Sequence, residues 1–115
     1  MSYKFNPFTS NLDLDTTGAS SPVFTVNSIS TNTNAVANNT YFIDCNGGVV
    51  QLTLPTPASG TYVVVKDETG SSNTNNITIA RNGSESIEGV AANYVVDSDF
   101  AYMTFLSDGT DWVIV

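Results

Sequence analysis

The chain has 115 residues and a mass of 12.2 kDa, enough for one ordinary domain with a small core. Charged residues are only 12% of it, and three basic against eleven acidic side chains leave a net charge of −8, so neither nucleic acid nor an anionic membrane surface is an expected partner. With no histidine and the single cysteine Cys45, the commonest general base, the Ser-His and Cys-His nucleophile pairs, an internal disulfide and a thiolate metal cage are all excluded; neither an enzyme nor a cofactor is expected.

Residues 1–22 read as an extended arm. Tyr3, Phe5 and Phe8 lie around Pro7, and Asn, Asp, Thr, Gly and Ser then dominate through Ser21. An isolated arm cannot bury three aromatics by itself, so it is expected to lie across its own domain or to dock on another subunit. The first 20 residues hold no continuous apolar stretch of signal-peptide type, which places synthesis in a cytoplasm. Asp13-Leu14-Asp15-Thr16-Thr17-Gly18 matches the first half of a calcium loop, but Phe24 stands where the bidentate Glu is required, and no metal is assigned.

Residues 23–115 read as a single domain. Val, Ile and Thr together supply 34 residues against 22 for Leu, Ala, Glu, Lys, Gln, Arg and Met, and no stretch shows helical apolar spacing, so the domain is expected to be all-β. Val23 to Ile29 is a first strand, followed by a polar loop from Ser30 to Asn39. Tyr41 to Cys45 and Val49 to Leu54 flank Asn46-Gly47-Gly48, a pattern that predicts a β-hairpin. Thr61 to Lys66, with three consecutive valines, is expected near the middle of a sheet and buried on both faces. Ile77 to Ala80, a short piece at Ile87, Tyr94 to Val96, Phe100 to Leu106 and Trp112 to Val115 complete the set, with a second hairpin at Asp108-Gly109. Strands at this spacing suggest a small β-sandwich or jelly roll.

The acidic pairs Asp97/Asp99 and Asp108/Asp111 sit on turns, where carboxylates cap local amides. Trp112 is read as core, packed against the strand Phe100 to Leu106.

From Tyr41 onward the order of motifs resembles modules of tailed-bacteriophage virion proteins. They are Tyr41-Phe42-Ile43-Asp44, then Val50-Gln51-Leu52-Thr53-Leu54-Pro55, Val64-Val65-Lys66-Asp67, Asn76-Ile77-Thr78-Ile79, Asn82-Gly83-Ser84 and Ser107-Asp108-Gly109-Thr110-Asp111-Trp112. The opening Tyr3-Lys4-Phe5-Asn6-Pro7-Phe8-Thr9 is similar to the start of several phage virion proteins. The resemblance implies a homotrimer on the virion, made in the host cytoplasm. Because the chain holds only an arm and one domain, a capsid decoration or cement protein is the expected role. In that role Tyr3, Phe5, Pro7 and Phe8 dock on the major capsid protein, another virion protein or a neighbouring protomer. The alternative is a small tail-fibre or head-fibre module whose loops, with Asn32, Asn34, Asn38, Asn73 and Asn75, contact a host-surface glycan.

Overall fold

The computed structural model describes residues 24–115, and the expected arm, with Tyr3, Phe5, Pro7 and Phe8, lies outside them. Nine strands follow in order: β1 Val26–Ile29, β2 Thr33–Asn34, β3 Asn39–Ile43, β4 Val50–Thr53, β5 Tyr62–Asp67, β6 Ile77–Ala80, β7 Tyr94–Val96, β8 Tyr102–Ser107 and β9 Trp112–Ile114. There is no helix among the described residues, as expected of a chain so rich in β-branched residues.

The strands form a five-stranded sheet, β1-β3-β5-β8-β9, and a four-stranded sheet, β2-β4-β6-β7. Alternate residues point inward, and Tyr41, Ile43, Val63, Val65 and Phe105 of the larger sheet share one core cluster with Val50, Leu52, Ile77, Ile79 and Val96 of the smaller. Trp112 is fully buried in the same cluster, as its sequence position suggested. Tyr94 meets Phe105 edge-on, with ring centroids 6.0 Å apart.

The path of the chain differs from a jelly roll. It alternates between the sheets at every step from β1 to β6, five crossings in succession, so that β1, β3 and β5 pair in parallel on one side and β2, β4 and β6 on the other. Only the last three strands add antiparallel pairs, β6 with β7, β5 with β8 and β8 with β9. The molecule is thus a short parallel coil of flattened turns closed by antiparallel strands.

The hairpin expected at Asn46-Gly47-Gly48 does not form. The turn itself is present, with the Gly48 amide donating to the Cys45 carbonyl at 3.3 Å, but it is a corner between sheets. Both edges of β3 are taken by β1 and β5, and both edges of β4 by β2 and β6. Those pairings occupy the edges that a β3–β4 hairpin would have needed. The second expected hairpin does form: β8 and β9 pair antiparallel across Asp108-Gly109, whose Gly109 has φ +105°. β5 lies at the centre of the larger sheet, and Val63, Val64 and Val65 are all buried, as the valine run indicated.

Candidate functional site

Two features stand out: a carboxylate hub at one end of the larger sheet, and that sheet's outer face. At the hub, Asp67 closes β5 with its side chain fully buried. One oxygen accepts from the amides of Gly70 (3.0 Å) and Ser71 (3.4 Å), the other from those of Ser72 (3.0 Å) and Phe100 (2.9 Å). Burial pushes the carboxyl's pKa up, but the amides of Ser72, Phe100 and Ser71 outweigh it and bring it to about 2. The Cys45 sulfur lies 3.8 Å away, and burial, together with the Asp67 charge, raises the thiol's pKa. The carboxylate is therefore saturated with donors and anchors the 67–72 loop to the β7–β8 connection.

That anchoring holds Phe100 at φ +60°, a left-handed conformation rarely adopted by a bulky residue. Its carbonyl accepts from Lys66 Nζ at 2.6 Å, the same ammonium lies 5.4 Å from the ring centroid, and the ring covers Gly70. Phe100 is nevertheless exposed.

Inward-facing Tyr41, Val63 and Phe105 leave the alternate residues of their strands pointing out. The register sets Val26, Thr40, Val64 and Thr104 in one row across the sheet, with Phe42, Lys66 and Tyr102 in the next. Phe24, Val26, Thr40, Phe42, Val64 and Tyr102 line a shallow groove of about 190 Å³. Thr40 is only 6% exposed, and its hydroxyl has no hydrogen-bond partner among the described residues.

The five asparagines singled out from the sequence are not gathered into one site. Asn32 accepts from the Gln51 amide at 2.9 Å and borders an open polar depression with Asp44 and Gly47. Asn38 takes φ +64° and accepts from the Tyr62 amide at 3.2 Å, fixing the entry to β3. Asn75 donates to the carbonyls of Cys45 and Asn46, bracing the corner before β4. Only Asn34, on β2, and Asn73, whose amide is bonded to Asp99, are exposed with no side-chain hydrogen bond of their own among the described residues. Of the acidic turns, Asp108 caps the local amides of Thr110 and Asp111 as the sequence indicated, whereas Asp111 and Asp99 accept from amides distant in sequence, those of Ser86 and Asn73.

The family model described as Bacteriophage T4 gp9/10-like protein, N-terminal, matches residues 11–112, a span running from within the expected arm into β9. The chain belongs to this family. It is a phage virion surface protein, structural in kind and associated with the virion. None of the curated proteins matches it. The outer face of this gp9/10-like protein was missed by the sequence reading, which placed recognition in the arm and the polar loops. The signal was present in the outward positions Val26, Val64 and Tyr102. It could be read only once the register was known.

Proposed function

We propose that the chain is a homotrimeric structural module of the phage tail or fibre, acting by contact area and without catalysis, with its aromatic N-terminal segment as the tether to the virion. The family match carries this reading, since it is to a tail- or fibre-type structural family. The chemistry agrees. There is no histidine, and the buried carboxylate of Asp67 is consumed by backbone amides. Trimerisation would offset the thin margin of a chain this short, which buries only about two thirds of its unfolded surface alone. A seat on the capsid, as a decoration protein, is the second reading.

Mass in solution and copy number test the reading together. A trimer present at roughly a dozen copies per virion supports the tail, and one present in hundreds moves it to the capsid. Removing Met1 to Ser21 is expected to leave a folded trimer that no longer binds virions; normal binding by the truncated chain would remove the tether from the proposal.

A further inference from the structure

Asparagine followed by glycine occurs twice in the chain, at Asn46-Gly47 and at Asn82-Gly83. In such a pair the glycine amide nitrogen can attack the asparagine side-chain carbonyl, because no Cβ on the following residue crowds the approach. Attack needs a nitrogen free of other bonds and a side chain free to turn towards it. The two pairs differ on both counts.

At Asn82-Gly83 the nucleophile is engaged. The Glu85 carboxylate accepts from the Gly83 amide at 2.8 Å and from the Asn82 amide at 2.7 Å, and Thr56 Oγ1 donates to Asn82 Oδ1 at 3.4 Å. Proton loss from the Gly83 nitrogen would set a second negative charge against that carboxylate, which disfavours the reactive anion. At Asn46-Gly47 both residues are exposed, nothing lies within 4 Å of where a Gly47 Cβ would stand, and the Gly47 amide has no hydrogen-bond partner among the described residues. The Asn46 side chain is held only by Ser71 Oγ, which donates to its Oδ1 at 3.3 Å. Gly47 also borders the open polar depression, so solvent reaches the corner.

We propose that the Asn46-Gly47 corner is a site of spontaneous covalent modification, deamidation through a succinimide, and that Glu85 withholds the same chemistry from Asn82-Gly83. The Gly47 nitrogen gives up its proton and bonds to Cγ of Asn46. The Cγ–Nδ2 bond breaks, and ammonia leaves with that proton. Water then opens the ring. Breaking the bond from nitrogen to Cγ gives aspartate, whereas breaking the bond from nitrogen to the Asn46 main-chain carbonyl carbon gives isoaspartate, in which the chain runs through Cγ. Nothing is oxidised or reduced; water enters and ammonia leaves. Either product adds a negative charge beside Asp44 on the rim of the depression. Isoaspartate also turns the Asn46 carbonyl, which accepts from Asn75 Nδ2 at 3.2 Å, into a free carboxylate, and it lengthens the turn by a methylene. The corner that carries the chain from β3 to β4 is thereby remade.

The test incubates the folded full chain for weeks in mildly alkaline buffer at physiological temperature. Peptide mass spectrometry locates the conversions, and enzymatic methylation scores isoaspartate. Asn46 is expected to convert about tenfold faster than Asn82, while the urea-unfolded chain converts the two at similar rates. Gly47 has no positive φ and has room for a Cβ, so Gly47→Ala is expected to keep the fold and slow Asn46 by about tenfold. Glu85→Ala is expected to speed Asn82 by a similar factor and leave Asn46 unchanged. Circular dichroism matching that of the unsubstituted chain shows that each variant is folded. Asn82 converting as fast as Asn46 in the folded chain, or an Asn46 that converts only in urea, would overturn the site. An Asn82 rate unmoved or slowed by Glu85→Ala would overturn the shielding.

Discussion

Asp67 shows how one side chain can organise a loop and impose a pH limit. Its folded pKa of about 2 lies below its ordinary value of 3.8, so the native state binds the proton less readily than the unfolded chain. The resulting stabilisation is complete above about pH 5 and is lost as the pH falls through about 4 towards 2. Urea melts are expected to show a constant midpoint above pH 5 and a fall below pH 4. Asp67→Asn should shrink that fall while costing about 2–3 kcal/mol at neutral pH, since it removes charge-assisted bonds and turns a donor towards amides. Gly70 is the second single-residue test. Its φ is +70°, and an added Cβ would overlap the Phe100 ring, which Asp67 and Lys66 hold in place. Gly70→Ala is expected to lower stability by about 2–3 kcal/mol, seen as an earlier melting midpoint, and Phe100→Ala in the same chain should recover part of that loss.

At the scale of elements, protection should follow the pairing order. β5 has β3 on one side and β8 on the other and is buried on both faces, while β2 is two residues long with one partner. Amide hydrogen exchange is expected to be slowest in β3 and β5 and fastest in β1 and β2, because edge strands open without global unfolding. Much of this layout could be read in the sequence. The three consecutive valines announced a central strand, Trp112 a core position, and Asp108-Gly109 a true hairpin. Asn46-Gly47-Gly48 misled because turn chemistry specifies a reversal of direction and does not specify which strand receives the returning chain. That choice was made by ladders joining residues far apart, such as Thr40 with Val64 and Leu52 with Ile79. The same limit hid the outer face: Val26, Val64 and Tyr102 are distant along the chain and become neighbours only through register. The asparagines were visible as turn formers, and three of the five spend their side chains on backbone groups.

For the whole molecule, net charge and apolar burial act in opposite directions, and salt distinguishes them. Each chain carries −8, so a trimer gathers three such charges within a few tens of ångströms, at separations where low ionic strength leaves repulsion largely unscreened. An attraction that comes from apolar burial does not depend on screening and gains from salts that strengthen such burial. Raising sodium chloride from about 20 mM to about 300 mM shortens the Debye length from roughly 20 Å to under 6 Å. The trimer dissociation constant measured by sedimentation is therefore expected to fall several-fold across that range, and to fall again as the pH is lowered from 7 towards 5 and acidic groups begin to take up protons. Ion pairs at the contact would produce the opposite salt slope, as counterions competed for Lys66 and Arg81. A dissociation constant that rises with salt would therefore place the contact on charged loops.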